Sequence, residues 1–306
     1  MNNLFNKAIW WFRRRYKWYV VDEKARQRFK DYNILDSFES IQYIIDHKCS
    51  ISRYGDGELS LFSGKGIGFQ EVDNNLVERL QHVLKATDAP NHIVGIPYYL
   101  KNVDGTVNLT REFWGDIVGK YGAQWQKIIP SDRKYIDTQI SRFYIEYHDR
   151  ERSARQLQML KKIWDGRDVV IVEGSQTRSG IGNDLYDNAK SIERILGYAT
   201  NAFAHYDEML QAIVENVKPE EGKLILLSYG PTATVLAYDL AKLGYQAVDM
   251  GHLDIEYEWY LRGIVEFGEK IDGKYTNEAA SGGNVVVECE DENYNRQIIC
   301  DITRKK

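Results

Sequence analysis

The 306-residue chain has few cysteines, no long apolar run and no excess of positive charge. Its three cysteines, Cys49, Cys289 and Cys300, are widely spaced and form no Cys-x-x-Cys pair, which argues against a zinc site and a disulfide framework. They fit a reducing cytoplasm. No apolar run approaches the roughly 20 residues that a membrane span needs, and the N-terminus has no signal-peptide pattern. We therefore expect a cytoplasmic protein.

The charge balance also excludes a class of partner. Lys and Arg number 40 and Asp and Glu number 45, so the net charge is −5 and gives no indication of nucleic-acid binding. Hydrophobic residues make up 43% and charged residues 28%, which is typical of a soluble globular protein with a sizeable core.

Segments with helical and strand-like patterns alternate along the chain, without internal repeats. This order predicts an α/β fold, Rossmann-like and doubly wound, with a mostly parallel sheet. The predicted strands are Cys49–Arg53, Asn91–Pro97, Asp168–Glu173, Lys223–Ser228 and Gln246–Met250. The predicted helices are a first one from Asp36, then Glu71–Asp88, Arg111–Tyr121, Gln156–Trp164, Asn188–Leu196, His205–Asn216 and Ala233–Leu243.

The two ends of the chain differ from this pattern. Residues 1–30 form a predicted basic amphipathic helix, and residues 31–306 form a predicted single catalytic domain. Near the C-terminus, Gly273–Thr303 is polar and contains short β-branched runs, which predicts a β-ribbon or edge strands.

The N-terminal helix carries an apolar stripe at Phe5, Ile9, Phe12, Tyr16 and Tyr19. Cations and tryptophans surround it, with no acid before Asp22: Lys7, Trp10, Trp11, Arg13, Arg14, Arg15, Lys17 and Trp18. Such a helix suits the surface of an anionic membrane, which would place the protein peripherally on the inner face through residues 4–19. Packing on its own domain or on a second subunit of a homo-oligomer is the other interpretation.

The most informative motif is Arg53–Glu58, Arg-Tyr-Gly-Asp-Gly-Glu, at the end of a predicted strand. Asp56 and Glu58 offer oxygens to a divalent cation, Mn²⁺ or Mg²⁺, which keeps other positions for water and phosphates. Arg53 suits a phosphate group, and Gly55 lets a ligand approach the backbone. An ordinary Asp-Gly turn is the alternative.

Two further loops follow buried strands, where ligands bind in doubly wound sheets. The loop Glu173–Asp184 is rich in glycine and hydroxyl groups that suit a phosphate. The second, Ser228–Thr232, precedes a helix whose N-terminus favours an anion. The candidates for binding a phosphate-bearing ligand in these loops are Ser175, Arg178, Gly180, Asn183, Asp184, Ser228, Tyr229, Gly230 and Thr232. A mobile surface loop and plain helix capping are the respective alternatives.

A fourth loop, Gly251–Trp259, follows the last predicted strand and alternates polar and apolar residues. As a strand it places four ionisable groups on one face, whereas as a helix it begins near Asp254. His252, Asp254 and Glu256 are the candidates for the catalytic base. An acidic helix start is the structural alternative.

Together these four loops resemble the bacterial GT-D-type glycosyltransferases, over about residues 36–300. The quoted similarities are Arg-Tyr-Gly-Asp-Gly-Glu, Val-Glu-Gly-Ser-Gln-Thr-Arg-Ser-Gly-Ile-Gly-Asn-Asp-Leu, Ser-Tyr-Gly-Pro-Thr-Ala and Gly-His-Leu-Asp-Ile-Glu-Tyr-Glu-Trp. The resemblance implies a single Rossmann-like GT-D domain and transfer of a sugar from a UDP-sugar to a glycan or glycoprotein. It also implies that Asp56 and Glu58 meet the metal and the donor diphosphate.

Two other functions fit the same residues. The carboxylates suit a metal-dependent phosphohydrolase that acts on nucleotides or sugar phosphates. Alternatively, the chain is a non-catalytic module that binds a nucleotide or glycan and serves as a scaffold at a membrane, which the N-terminal helix suggests.

Overall fold

The computed structural model describes residues 2–285 and 287–304, with side chains from residue 9 onward. Its helices are α1 Asn2–Tyr16, α2 Glu23–Arg26, α3 Ser37–His47, α4 Asp56–Leu61, α5 Asn74–Lys85, α6 Asn108–Ile128, α7 Arg150–Lys161, α8 Tyr206–Asn216, α9 Pro231–Lys242, α10 Leu253–Arg262 and α11 Glu292–Gln297. Its strands are β1 Asn33–Ile34, β2 Ser50–Arg53, β3 His92–Ile96, β4 Lys134–Asp137, β5 Asp168–Gly174, β6 Ser191–Gly197, β7 Leu224–Ser228, β8 Gln246–Asp249 and β9 Ile298–Asp301.

The nine strands form one sheet in the order β1-β4-β3-β2-β8-β7-β5-β6-β9, and every pairing is parallel. From β2 the chain builds outward through β3 and β4, whereas β5 to β8 lie on the other side. The carboxyl ends of β2 and β8 therefore meet at the centre of the sheet. This reversal of strand order is where doubly wound folds bind ligands.

Both faces of the sheet are covered by helices. In β5, Val170 and Val172 belong to one apolar cluster, whereas Val169 and Ile171 belong to the other. Helices α5, α6, α8 and α9 pack into the first cluster, and α3, α7 and α10 pack into the second. The continuous apolar runs of β5 and β7 follow from this burial, because a parallel sheet has no solvated face. The predicted α/β class and parallel sheet are confirmed.

The sequence interpretation was wrong for one segment. Asn188–Leu196 was predicted to be a helix, but residues Ser191–Gly197 form strand β6 beside β5. Near the C-terminus the edge-strand alternative holds, because β9 pairs in parallel with β6 at the edge of the main sheet and follows the short helix α11. Within residues 273–285 and 287–303, the structure shows no separate ribbon.

Strand β6 carries a buried arginine, which explains its misleading sequence. The guanidinium of Arg194 donates to Glu173 Oε1 at 2.6 Å and to the Ser179 carbonyl oxygen at 2.8 Å. It also donates to Gln297 Oε1 at 2.7 Å. Burial raises the pKa of Glu173, and the charge of Arg194 opposes that shift. One cation thus links β5, the following loop and the C-terminal helix.

Arg194→Leu should therefore lower the free energy of unfolding by about 3–5 kcal/mol, because it leaves the Glu173 carboxylate buried without a partner. Urea denaturation followed by circular dichroism measures this. The control is Lys190→Ala, which removes the exposed ion pair with Asp168 and should cost less than about 1 kcal/mol. If both variants lost the same free energy of unfolding, the larger contribution expected of the buried Arg194–Glu173 pair would be contradicted.

Candidate functional site

A cavity of about 640 Å³ lies at the carboxyl ends of the central strands. All four loops singled out from the sequence reach it, but not with all of their candidate residues. The candidates that line it are Arg53, Gly55, Asp56, Glu58, Ser228, Tyr229, Gly230, His252 and Asp254. Seven candidates lie outside the lining, namely Ser175, Arg178, Gly180, Asn183, Asp184, Thr232 and Glu256.

The acid-Gly-acid motif forms the first turn of α4 and not a hairpin. Gly55 is the residue before the helix, and its N–H donates to Glu58 Oε2 at 2.8 Å. Acidic groups are favoured at this end of a helix. Asp56 is exposed to the cavity, and Glu58 is half-buried. Burial, with smaller contributions from the nearby Asp249 and Asp56 carboxylates, raises the pKa of Glu58 to about 7.

Arg53 is held by its neighbours at the junction of β2 and β8. Its guanidinium donates to the Thr138 carbonyl oxygen at 2.8 Å, to Ser141 Oγ at 2.6 Å and to Asp249 Oδ1 at 3.2 Å. At Gly251, which has φ +49°, a Cβ would lie 1.9 Å from the Arg53 guanidinium, so only glycine fits. Arg53 thus lines the cavity with most of its donors already in use.

A second cavity arginine, Arg142, was not found from the sequence. It lies after the short strand β4, which the sequence did not predict. Its guanidinium pairs with Glu278 at 2.9 Å, Glu256 at 3.3 Å and Glu146 at 3.5 Å. Burial raises the pKa of Glu146 to about 7, whereas Arg142 opposes that shift. Arg142, Glu146 and Glu278 all line the cavity.

His252 faces this cluster as a neutral hydrogen-bond donor. Arg142 donates to His252 Nδ1 at 3.1 Å, and a guanidinium cannot accept a proton. The ring proton therefore belongs on Nε2, which is buried without a well-formed hydrogen bond. Burial lowers the pKa of His252 to about 4. His252 thus has no free lone pair for a general base at neutral pH.

Helix α10 separates the two acidic candidates of the fourth loop. Asp254 and Glu258 lie one turn apart, and the buried Lys274 bridges them at 2.7 and 2.9 Å. Glu256 lies on another side of the helix and accepts hydrogen bonds from the Tyr144 and Ile145 backbone N–H groups. Glu256 is fully buried outside the cavity lining and binds backbone N–H groups, so it is not placed to act as a base in the cavity.

The second loop contributes less than the sequence predicted. Arg178 is buried, and its guanidinium donates to the carbonyl oxygens of Gly273 and Val287. Gly180 and Asn183 donate to Asp254 Oδ1, and Asp184 accepts from the Tyr257 hydroxyl. These residues anchor the loop to α10 and to the C-terminal segment. Only Gly174 and Thr177 of this loop line the cavity.

The third loop places the N-terminus of α9 at the cavity. Ser228, Tyr229, Gly230 and Pro231 line it, whereas Thr232 is buried in the helix with an unpaired hydroxyl. Two aromatic residues missed from the sequence complete this end of the cavity, Phe69 and Tyr198. Tyr198 follows β6, the strand that was predicted to be a helix.

The cavity is lined by more acidic groups than basic ones. Six carboxyl groups and two guanidinium groups line it. The carboxyl groups are those of Asp56, Glu58, Glu146, Asp249, Asp254 and Glu278, and the guanidinium groups are those of Arg53 and Arg142. Since both arginines are paired with acids, little positive charge remains for an anionic ligand.

The donor set at the cavity fits a hard cation in part. In residues 2–285 and 287–304 no group of three or more His, Cys, Asp or Glu side chains is arranged as a metal site. Asp56 and Glu58 supply two carboxylates at one wall of the cavity. Two carboxylates suit Mg²⁺ or Mn²⁺ that shares its other positions between water and substrate phosphate.

The low pKa of His252 predicts a loss of stability in mild acid. Below about pH 6.5 the unfolded histidine takes up a proton that the folded one refuses until about pH 4. Stability should therefore fall by up to about 1.4 kcal/mol per pH unit from pH 6.5 to 5. His92, whose pKa burial also lowers to about 4, adds a similar slope.

Urea denaturation at several pH values, compared for the parent chain, His252→Gln and His92→Gln, measures these contributions. Each substitution should make the slope shallower than that of the parent. An unchanged slope in His252→Gln would refute the neutral state of that ring.

Known proteins share this fold. The family described as "Glycosyltransferase GT-D fold" matches residues 51–279. A solved domain described as the highly conserved domain of unknown function 1792, with a distinct glycosyltransferase fold, superposes with a TM-score of 0.83 at 35% identity. That match covers 92% of this chain and 99% of the other. A second structure, a new glycosyltransferase (DUF1792) from Streptococcus sanguinis, gives 0.81 at 32% identity and covers 88% and 99%.

Two curated relatives are longer than this chain. Glycosyltransferase GlyD of Streptococcus pneumoniae serotype 4 is 36% identical over 86% of this chain and 32% of its own length. A probable glycosyl transferase, Gly, of Streptococcus gordonii is 33% identical over 92% of this chain and 40% of its own. This chain thus spans roughly a third to two fifths of those relatives. It belongs to the glycosyltransferase family with the GT-D fold.

Proposed function

We propose that this chain is a metal-dependent glycosyltransferase that moves a sugar from a nucleotide-diphosphate donor, a UDP-sugar, to a glycan or glycoprotein. The observation that carries the metal dependence is the charge of the cavity, where six carboxyl groups face two paired guanidinium groups. A diphosphate would be repelled there unless a cation accompanied it. The family supports the sugar-transfer chemistry.

The donor fits along the sheet from β2 to β6. The N-terminus of α9 offers unpaired N–H groups to a phosphate, and Tyr229 and Gly230 lie beside it. Phe69 and Tyr198 provide aromatic surface for a nucleoside at the same end. In this arrangement Ser228, Tyr229 and Gly230 contact the nucleotide sugar. The second loop contributes Gly174 and Thr177, the two of its residues that line the cavity.

Asp56 and Glu58 are the residues that would hold the cation. A divalent cation supplies positive charge to the diphosphate leaving group. Glu58 Oε2 is already used by the Gly55 N–H, so Oε1 is the oxygen available to a ligand. The raised pKa of Glu58 fits this position, because crowded carboxylates favour a nearby positive charge.

The acceptor hydroxyl must lose a proton to a base that reaches the cavity. Of the predicted bases, His252 offers an N–H, and Asp254 already accepts three hydrogen bonds. Glu278 is the better candidate. Its side chain is 34% exposed, and Arg142 holds its pKa below the usual value despite the opposing effect of burial, so it is ionised at neutral pH.

Asp56→Asn should weaken UDP binding at least tenfold in the presence of Mn²⁺ and leave the weaker metal-free binding unchanged, because it removes an oxygen charge from the cation and not from the nucleotide. Isothermal titration calorimetry with and without Mn²⁺ measures both. The control is Glu78→Gln on the outer face of α5, an exposed acid, which should bind like the parent. Equal Mn²⁺ enhancement in Asp56→Asn would refute the metal site.

Glu278→Gln should lower kcat for sugar transfer about 10²–10⁴-fold, the range typical of losing a general base, with little change in the affinity for UDP. The assay measures both released UDP and glycosylated product. A fall in UDP affinity that matches the fall in kcat would assign Glu278 to donor binding. UDP release without any glycosylated product, at a rate independent of acceptor, would identify a hydrolase instead.

A further inference from the structure

Exposed apolar side chains concentrate at the N-terminus. In the part of the chain whose side chains the structure describes, eight of the sixteen large exposed apolar residues fall within residues 9–21. We call these residues the N-terminal aromatic surface. Its apolar members are Ile9, Trp10, Trp11, Phe12, Tyr16, Tyr19, Val20 and Val21. A cluster of this density marks an interaction site, because single exposed apolar residues are scattered on ordinary surfaces.

The stripe predicted from the sequence faces solvent and not the domain. Phe12, Tyr16 and Tyr19 are 66%, 63% and 59% exposed, and the side chain of Phe5 lies outside the described residues. Packing of this stripe on its own core, one of the two interpretations of the sequence, is therefore wrong for the described side chains. We therefore look for a binding partner of this surface other than the chain's own core.

Cations are interleaved with these aromatic rings. Arg15 lies 4.5 Å from the ring centre of Trp11, and Arg14 lies 4.8 and 4.4 Å from those of Trp10 and Trp18. The sequence has no acid before Asp22 and five cations before it. Tryptophans beside arginines suit the boundary between lipid headgroups and acyl chains, where the ring is buried and the cation meets a phosphate.

The aromatic surface is fastened beside the mouth of the cavity. Arg14 pairs with Glu112 of α6, and Lys17 pairs with Asp116 at 3.0 Å. Leu109 and Phe113 share that face of α6 at helical spacing. Both are exposed, at 55% and 44%, and both line the cavity. The apolar surface therefore continues from α1 along α6 to the cavity.

We propose that the N-terminal aromatic surface docks on an anionic lipid bilayer, with the cavity opening beside the lipid headgroups. A second copy of the chain fits less well, because Arg13 and Arg15 of the two surfaces would repel each other, and the acids of α6 are already paired with Arg14 and Lys17. No helix within residues 2–285 and 287–304 combines the length and apolarity needed to cross a bilayer, so α1 would lie along the surface.

The acceptor follows from this placement, a step that rests on the proposed function. A cavity whose mouth adjoins the bilayer meets acceptors that are themselves held at a membrane. The acceptor class is therefore a glycan or glycoprotein anchored to, or assembled on, the lipid surface.

The test is flotation of the full chain with phosphatidylcholine vesicles that contain either no or 30 mol% (~one third) phosphatidylglycerol. The chain should float with the anionic vesicles, and less as salt rises. Trp11→Ser combined with Phe12→Ser should weaken binding more than tenfold. Arg13→Glu combined with Arg15→Glu should remove the preference for phosphatidylglycerol. The control, Leu243→Ser with Val265→Ser, changes exposed apolar residues elsewhere and should bind like the parent.

Failure of the parent chain to float, or equal flotation of all variants, would overturn the proposal. So would a dimer in light scattering that the Trp11 and Phe12 substitutions dissolve while vesicles go unbound, because the occupant would then be a second copy. The same variants are titrated with UDP and Mn²⁺. A variant that no longer floats but still binds UDP has lost only the docking surface. A parent chain that floats but does not bind UDP would contradict the proposed function and leave the docking proposal standing.

Discussion

Burial of a parallel sheet on both faces is the constraint on which the site depends. Helices cover the sheet on either side, so polar chemistry is confined to the ends of the strands. The reversal of strand order between β2 and β8 opens a crevice at their carboxyl ends. Arg53 and Asp249 close that junction with an ion pair. Gly251, which has no Cβ, leaves space for the Arg53 guanidinium.

The crevice concentrates carboxylates that a protein would ordinarily keep apart. Glu58 and Glu146 at the cavity, and Glu256 buried behind it, each have a pKa raised to about 7, chiefly by burial. Arg142 offsets part of this cost by pairing with three glutamates. The acids of the first turn of α4 have no such arginine partner in the described residues. The lack of an arginine partner at these two acids is the ground on which we propose a cation there.

The sequence revealed five of the strands and missed β1, β4 and β6. Strands β2, β3, β5, β7 and β8 were predicted to within a residue or two. In β6, the apolar residues Ile192, Ile195 and Leu196 have the spacing of a helix face, and Arg194 looks like a surface residue until its partner Glu173 is known. A pattern of single residues cannot show that two charges will be buried together.

The same gap explains which site residues were found. Loops after predicted strands yielded Asp56, Glu58, Tyr229 and His252, all at the cavity. Arg142 and Tyr198 follow β4 and β6, so no predicted strand end pointed to them. The sequence left open whether a helix or a strand follows β8. Because a helix begins at Leu253, Asp254 reaches the cavity and Glu256 does not. On α10 the residue two positions after Asp254 faces away from it.

Glu58 has two roles. Its Oε2 accepts a hydrogen bond from the Gly55 amide, and its side chain lines the cavity. Shortening this side chain would remove the acceptor for the Gly55 amide at the start of α4 and withdraw the oxygen that we propose for the cation. A glutamine there keeps an acceptor for the amide and loses only the charge. The start of α4 and the proposed cation site therefore depend on the length of one side chain, so a change in that length would affect both.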